Sequence, residues 1–414
     1  MTFTALHRAL GVPPGPLTSE LLDRAIDEHV VETDDLDWKS ELPPAKGSAK
    51  TDFPKDVAAM ANSGGGTIVY GIRESAKAAT ERAPVDELTE VHERALRSAA
   101  VTAISPPIFN LGIHRLGGPS DRAVVVVVPA SVDGPHLIYR DDLFGAPRRN
   151  DADTVWMRER EVEAMYRARF DERRHSTELM DSLYQEASDG RAINERAWLI
   201  AVAHPRIPQL RTQLTRVQAE EVLKDATGAA RKLSRKEAPH PFDQIDPVNP
   251  RPGLRRWVFR DREVYGSKWR ESWISIHHDG SVTLACAVGG FPISSERFLE
   301  GFEVMSAAVE AAVADCLAVV RAAATAIQTS EYEVKVGIEW SGYEPIQILT
   351  VDNLGYAFRS NSTPVHRYVP VLATIDARAS DTAFGRATYD LARDCVNQGG
   401  ITNLHVMKEP VDDV

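Results

Sequence analysis

The apolar positions in the first part of the chain switch repeatedly between the helical and the strand period. Residues 18–31 carry Leu, Ile, Ala and Val at helical spacing behind a Ser or Thr cap and predict a helix. The segment LDWK (36–39) predicts a short strand. Residues 52–62 (DFPKDVAAMAN) predict a helix that Asp52 caps and the glycines of SGGG end. Residues 67–72 (TIVYGI) predict a buried strand.

The same alternation continues to about residue 174. Residues 85–104 predict a helix. The β-branched run from Arg122 (RAVVVVVPAS) is too apolar for an edge strand, so we expect it to be covered on both faces. A strand within DTVWMRERE (153–161) leads into a helix through about Arg174, rich in Arg and Glu that we expect to form solvated i to i+4 pairs. Alternating helices and strands predict an α/β to α+β domain.

The second half of the chain has a different pattern. Residues 192–233 are predicted to be helical, and five prolines between Pro239 and Pro252 then predict a domain boundary, because proline fits neither a helix interior nor a central strand. Beyond it, the pattern predicts aromatic strands around Trp257 and Trp273 with a turn at HHDG, a long helix over 300–327, strands near Val334 and Ile346, and a last helix over 382–396. These elements predict a second α+β domain.

The predicted organisation therefore has four parts. We expect an N-terminal helical arm (1–27), a first domain with a mixed sheet and helices (28–172), a helical connector (173–238) and a C-terminal α+β domain of unassigned function (239–414). The sequence contains no internal repeat and no low-complexity tract.

Composition narrows the class of protein. Cys286, Cys316 and Cys395 lie far apart, which predicts neither a disulfide framework nor a thiolate zinc site and fits a reducing cytoplasm. The first residues lack the apolar core of a signal peptide, and the longest apolar runs contain charges, so we expect a cytoplasmic protein without membrane partners. The net charge of -12 argues against coating nucleic acid by bulk electrostatics, and any such contact needs a local patch.

Three carboxylates are candidates for a metal site. Glu32 and Asp37 flank the start of the LDWK strand, and Glu74 follows TIVYGI. If these strands pair, the three side chains converge, and an oxygen-only cluster suits Mg²⁺ or Mn²⁺. Asp37 and Lys39 share one strand face, so Lys39 could reach a phosphate beside the metal. Alternatively, the carboxylates are ordinary solvated charges and Asp37 and Lys39 form a weak surface pair.

The glycine run does not predict a nucleotide-binding loop. The pattern GxxxxGK[ST] is absent, and KGSAK (46–50) has the wrong spacing, so we recognise no ATP site. The run of three glycines, Gly64, Gly65 and Gly66, follows a helix and leads directly into a strand. We expect these glycines to allow a tight turn of the backbone, and we do not expect them to bind phosphate.

Four blocks of sequence resemble, in order and spacing, the Schlafen AlbA-type domain. In that family a strand with an acidic start, ending in a Glu-Phe-Lys-like triplet, precedes a helix ending Ala-Asn-Thr-x-Gly-Gly and a strand ending Gly-Val-x-Asp. The blocks here are ETDDLDWK (32–39), DVAAMANSGGGTIVYGIRE (56–74), AVVVVVPAS with GPHLI (123–138) and APRRNDADTVWMRERE (146–161). The resemblance covers about residues 28–172, roughly a third of the chain.

The resemblance implies a candidate activity. Nuclease members of the family cleave structured RNA, notably tRNA, with three acidic residues and a divalent metal. The resemblance aligns these acids with Glu32, Asp37 and Glu74, with Asp in place of the nucleases' second Glu and Glu in place of their third Asp. The nucleases also have two lobes and a Cys/His zinc site, whereas this chain has one recognisable lobe, so a homodimer could supply the second. Many bacterial relatives are described as DNA-binding or regulatory.

Basic residues provide two further candidate sites. Arg148 and Arg149 stand where a groove-lining arginine would contact a backbone phosphate, or else they are solvated loop residues. The stretch 251–270 interleaves arginines and lysine with aromatics, which is typical either of single-strand binding or of a strand pair with its aromatics in the core. His277 and His278 are adjacent in a turn and do not predict a metal site.

Three hypotheses follow from the sequence. The first is a metal-dependent endoribonuclease of structured RNA, serving defence or stress, in which Glu32, Asp37 and Glu74 hold the cation and Lys39 steadies the phosphate. The second is a non-catalytic DNA-binding regulator in which Arg148 and Arg149 dominate the affinity. The third is a protein that binds a partner or small molecule through its C-terminal domain.

Overall fold

The computed structural model describes residues 3–140, 143–208, 213–235, 238–260, 271–293, 297–342, 344–352 and 354–410. It divides into two compact units, Met1–Arg174 and His175–Val414. The first unit contains, in chain order, α1 (Ala5–Ala9), α2 (Ser19–Asp27), β1 (Leu36–Lys39), α3 (Phe53–Asn62), β2 (Gly66–Tyr70), β3 (Ile72–Ser75), β4 (Ala78–Arg82), α4 (Glu90–Thr102), β5 (Ile104–Ser105), β6 (Gly112–Leu116), β7 (Ala123–Val128), β8 (Leu137–Arg140), β9 (Leu143–Gly145), β10 (Pro147–Asn150), β11 (Asp153–Trp156) and α5 (Glu159–Ser188), within which the division falls.

A four-stranded mixed sheet, in the order β1-β2-β7-β6, forms the centre of the first unit. Strands β1 and β2 are parallel, with Asp37 opposite Ile68 and Lys39 opposite Tyr70. Strand β7 runs antiparallel to both of its neighbours, β2 and β6. The expected pairing of the LDWK and TIVYGI strands is confirmed, and the valine-rich run is an interior strand as predicted.

Helices cover both faces of this sheet because alternate side chains of its strands are apolar on each side. Ile68 and Tyr70 pack in a core with α3 and α4, whereas Val69 and Trp38 pack in a second core with α1 and α2. Since Trp38 faces α1 and α2, its neighbours Asp37 and Lys39 on β1 face the side of α3. This placement puts a carboxylate and an ammonium group beneath α3.

A glycine turn joins α3 to β2 and sets the position of the helix over the sheet. Gly64 and Gly65 have φ values of +95° and +92°, a region that residues with a side chain rarely adopt. A Cβ on Gly65 would lie 2.7 Å from the backbone N of Ala130 and 2.9 Å from the O of Val128. The close approach of the turn to the segment after β7 therefore requires glycine at position 65.

The second unit is built on a seven-stranded antiparallel sheet in the order β13-β14-β15-β16-β12-β18-β20. Its elements are β12 (Trp198–Pro205), α6 (Arg216–Leu233), β13 (Arg251–Gly253), β14 (Arg256–Arg260), β15 (Ser272–His277), β16 (Val282–Ala287), β17 (Glu303–Met305), α7 (Ser306–Ile327), β18 (Glu331–Glu339), β19 (Gln347–Leu349), β20 (Val371–Asp376) and α8 (Asp381–Asn397). Helices α6, α7 and α8 contribute to the core on one face, and the last turns of α5 pack on the other.

The strand β12 corrects the prediction that residues 192–233 are helical throughout. Every residue of its sequence WLIAVAHP is buried, and a segment covered all round shows neither the helical nor the strand period. Because β12 lies inside the sheet, residues 175–238 share a core with residues 239–414 instead of forming the expected separate connector. The α+β class is confirmed.

Smaller differences concern the ends of elements. Helix α4 begins at Glu90 and not near residue 85, and α7 begins at Ser306 because the three residues before it form β17 and pair with β19. The strand predicted over 67–72 ends at Tyr70, after which Ile72 begins a separate hairpin. Asp52 lies at the N-cap of α3, but its side chain makes no capping hydrogen bond.

The three cysteines are free and buried. Within the described ranges, each helix is too short or too polar to cross a lipid bilayer.

The glycine turn leads to a prediction about stability. We expect Gly65→Ala to lower the free energy of unfolding of the first unit by about 3 kcal/mol or more, because a strained φ and a backbone clash add together. Gly64→Ala is the matched control: its φ is also positive but nothing lies within 4 Å of its Cβ, so a loss of about 1–2 kcal/mol is expected. Urea unfolding of the full chain, with hydrogen exchange of the β2 amides, measures both. Equal losses would contradict the close approach.

Candidate functional site

A cleft of about 760 Å³ opens in the first unit where the parallel strands β1 and β2 end. Parallel strands commonly place binding sites at their carboxyl ends. Among the described residues, both carboxylates and cations line this cleft, and the carboxylates outnumber the cations by two. The carboxylates are Glu32, Asp37, Glu41, Asp52, Asp56, Glu74 and Asp153, and the cations are Lys39, Lys55, Arg73, Lys77 and Arg149.

The carboxylate of Asp37 is buried in the cleft wall and is paired on both sides. Arg149 Nη1 donates to its Oδ1 at 3.2 Å, and Lys39 Nζ forms an ion pair with its Oδ2. Arg149 is itself buried, and its second terminal nitrogen donates to the carbonyl O of Thr33 at 3.2 Å. The Arg149 backbone N–H donates to Ser63 Oγ at 2.9 Å. These contacts join β1, β10 and the end of α3.

Glu32 is also buried and has two different oxygen environments. The Trp38 N–H donates to Glu32 Oε1 at 3.0 Å, and Lys77 Nζ faces Oε2 at 3.5 Å. Burial raises the pKa of Glu32, the Trp38 N–H opposes that rise, and the nearby Asp37 charge adds to it. Lys77 is exposed, and its backbone N–H donates to Glu74 Oε2 at 2.6 Å.

Asp56 is a further buried carboxylate of the cleft, which the sequence prediction missed. It lies on α3, 3.9 Å from Lys55 Nζ, and burial raises its pKa to about 6, with Lys39 opposing and Asp37 reinforcing the rise. A signal was present in the sequence: Asp56 falls on the same face of the helix as the apolar Phe53 and Met60. A carboxylate on a buried helix face is a candidate for a shifted pKa.

The structure brings most of the predicted site residues into the cleft. Glu32, Asp37, Lys39, Glu74 and Arg149 all line it. The sequence left open that Arg149 is a solvated loop residue, but it lies in β10 and its guanidinium group is paired with Asp37. Its guanidinium group is therefore not free to contact a phosphate.

Arg148, on the same strand, is half-buried and does not line the cleft. Its Nη2 lies 3.0 Å from Glu161 Oε1 on α5. A phosphate would have to compete with Glu161 for this guanidinium. The two arginines that the sequence grouped together therefore have different environments.

The fit of a divalent cation is incomplete. Within the part of the chain that the structure describes, there is no group of three or more His, Cys, Asp or Glu side chains that could hold a metal ion. Glu32 and Asp37 each have one oxygen fixed by a protein donor and a second oxygen facing a lysine that is at least partly exposed. A cation could take the place of those ammonium groups on two carboxylates, whereas Glu74 accepts a hydrogen bond from its own turn. The divalent cation stays a prediction.

The basic and aromatic stretch in the second unit is only partly described. Phe259 is buried in the core, and the Trp257 Nε1–H donates to the carbonyl O of Leu214 at 2.7 Å. These contacts favour the alternative in which the aromatic residues of this stretch face the core. Five of its basic and aromatic residues lie outside the described residues: Arg262, Tyr265, Lys268, Trp269 and Arg270.

Burial lowers the pKa of His277 to about 4, so this histidine is neutral at neutral pH.

The first unit thus combines a mixed sheet, helices on both faces of it, and a cleft lined by carboxylates and cations. The family model described as Schlafen, AlbA_2 matches residues 32–161. This part of the chain is therefore a Schlafen AlbA_2 domain, a nucleic-acid-binding type of domain, and the resemblance found in the sequence is confirmed.

Two solved structures are similar to parts of the chain. The N-terminal domain of an ATP-dependent DNA helicase RecG-related protein from Nitrosomonas europaea is 16% identical, with a TM-score of 0.25, over 35% of this chain and 94% of that one. The DIP2311 protein from Corynebacterium diphtheriae is 19% identical, with a TM-score of 0.25, over 51% of this chain, and the match spans 32% of that protein. The comparison with curated proteins gave no match.

The raised pKa of Asp56 leads to a prediction about stability and pH. Ionisation of Asp56 is harder in the folded than in the unfolded protein, so its contribution to stability falls as pH rises from 3.8 to about 6 and is constant above. We expect Asp56→Asn to stabilise the protein at pH 7.5 by up to about 3 kcal/mol, and to have little effect at pH 4. Urea unfolding at both pH values measures this. A stability difference independent of pH would contradict it.

Proposed function

We propose that the Schlafen AlbA_2 domain binds structured RNA, such as tRNA, in this cleft and cleaves its backbone as a divalent-metal-dependent endoribonuclease. The observation that carries the proposal is that Glu32, Asp37, Glu74 and Lys39 line one cleft. A divalent cation bound at these carboxylates would supply an activated water and would neutralise charge on the phosphodiester.

The side chains of the cleft have separate roles in this proposal. Lys39 is partly exposed beside the buried Asp37, so its ammonium group can approach a phosphate while the carboxylate stays in the wall. Arg149 fixes Asp37 from the other side and acts as a positioning residue. Glu32 is held by the Trp38 N–H, which orients its second oxygen towards the cleft.

The charge balance of the cleft supports a requirement for cations. The net charge of the chain is -12 and carboxylates are in excess in the cleft, so an RNA backbone would be repelled without added positive charge. A divalent cation held by Glu32 and Asp37 would cancel the excess of two negative charges in the cleft. We therefore expect RNA binding itself, and not only cleavage, to depend on Mg²⁺ or Mn²⁺.

A second candidate function is non-catalytic binding of RNA or DNA. The observation in its favour is that Asp37 is already neutralised by Arg149 and Lys39. If no cation displaces Lys39, the carboxylates serve to hold the cleft together, and cations such as Lys39, Lys55 and Lys77 would provide the contacts to phosphate.

Cleavage of total tRNA tests the proposal. We expect wild-type protein with Mn²⁺ to cut tRNA, and Asp37→Asn to be about 100-fold slower, because the substitution removes a charge without changing the size of the side chain. Asp171→Asn, at an exposed position of α5 outside the cleft, is the matched control and should cut normally. Gel analysis of the RNA gives the rates, and melting curves verify folding.

The outcomes separate the two candidates. Metal-dependent cleavage that is lost in Asp37→Asn, while the melting curve shows that this variant is still folded, would support the nuclease. Binding of tRNA or DNA without cleavage would support the second candidate, and cleavage that persists in both variants would show that a contaminant or another site acts.

We also propose that two chains act on one RNA. One Schlafen AlbA_2 domain is recognised in this chain, and a homodimer would supply a second lobe. Sedimentation of the protein with tRNA in the presence of Mg²⁺ is expected to give two chains per RNA. A complex with one chain per RNA would rule out the paired arrangement.

A further inference from the structure

Three large aromatic side chains lie exposed around a second hollow of the first unit. Tyr139, Phe144 and Trp156 are 55%, 66% and 54% exposed, and all three line this hollow of about 390 Å³. Large aromatics usually contribute to a core, so three exposed ones around one hollow mark a binding surface.

The aromatic rings are held by strands. The ring centroids of Tyr139 on β8 and Phe144 on β9 are 5.9 Å apart. Trp156 on β11 lies over Gly145, where a Cβ would be 2.8 Å from two atoms of the indole ring. Glycine at position 145 therefore lets the indole lie against the strand while more than half of the side chain remains exposed.

Asn62 ties these strands to the end of α3. Its Nδ2 donates to the carbonyl O of His136 at 2.9 Å and to the O of Pro147 at 2.8 Å, while the His136 N–H donates to its Oδ1 at 2.7 Å. His136 directly precedes β8, and Pro147 begins β10. The backbone that carries the aromatic rings is thus fixed to the helix that carries Asp56.

The aromatic hollow is continuous with the cleft. Thr51, Asp52 and Lys55 line both. Lys55 Nζ is partly exposed and lies 3.1 Å from Asp52 Oδ1, so an ammonium group stands at the boundary between the two. A strand whose phosphates follow the cleft would carry its bases towards the hollow.

We propose that the aromatic hollow stacks unpaired nucleobases of the nucleic acid whose backbone lies in the cleft. The inference rests on the proposed function and extends it to the substrate class. Each base has a π-face, so stacking on Trp156 and Phe144 accepts any sequence. The bases of a continuous duplex are stacked on each other and are not accessible, so the substrate carries unpaired nucleotides next to the bound backbone.

Binding of three labelled oligonucleotides of equal length to the full chain tests this inference. The probes are a single-stranded oligouridine, its abasic counterpart with the same phosphates, and a duplex, measured by fluorescence anisotropy with Mg²⁺ and checked on a gel for intact probe. The wild type is expected to bind oligouridine most tightly. Trp156→Ala should weaken that binding about ten-fold and leave abasic binding unchanged.

Two further variants separate stacking from folding. Trp156→Phe keeps an aromatic face and is expected to retain most of the affinity, and Phe144→Ala tests the hollow without altering Trp156. Phe109→Ala is the matched control, because Phe109 is 54% exposed and does not line the hollow. Its affinities should equal those of the wild type. Melting curves of all variants verify folding.

The possible failures are distinguishable. If the wild type binds oligouridine and its abasic counterpart equally, or if Trp156→Ala weakens both equally, base stacking is overturned while the backbone-binding function stands. If the wild type binds neither these probes nor tRNA, the proposed function fails, and the stacking inference with it.

Discussion

The buried ion pair between Asp37 and Arg149 is the interaction on which the cleft depends. It joins β1 to β10 across 112 residues of sequence, and both side chains are almost completely inaccessible to water. Removing one partner of such a pair leaves an unpaired buried charge, a loss of about 3–5 kcal/mol. The same pair fixes the carboxylate that Lys39 contacts. Structural stability and candidate chemistry therefore rest on the same two side chains.

Around this pair the cleft is a balance of opposite charges. Glu32 and Asp56 are buried carboxylates whose pKa values are raised by desolvation, while Lys39, Lys55 and Lys77 supply exposed or partly exposed cations. An excess of carboxylates repels a polyanion, and lysines alone do not reverse it. One bound divalent cation would cancel the excess of two carboxylates, and in the proposed function this would connect the binding of nucleic acid to the chemistry that such a cation supports.

The cleft and the aromatic hollow divide the recognition of a nucleic acid between them. In the proposed function, charged residues in the cleft would contact phosphates and carry no information about the bases, whereas aromatic faces in the hollow would respond to whether a base is free to stack. Asn62, at the end of α3, is hydrogen-bonded to the backbone at His136 and Pro147, which ties the region of β8 and β10 to the helix that lines the cleft. Under the proposal, this arrangement would favour nucleic acids in which unpaired residues adjoin the backbone held in the cleft.

The sequence alone determined the first domain well. Alternation in LDWK placed Asp37 and Lys39 on one face, and ordered motifs identified the Schlafen AlbA_2 domain. It failed at β12, because a strand that is apolar on every side has no period to read. Only the tertiary structure paired Asp37 with Arg149 and gathered Tyr139, Phe144 and Trp156 beside the cleft. Contacts between residues far apart in the chain leave no mark in local pattern, since folding, not spacing, brings them together.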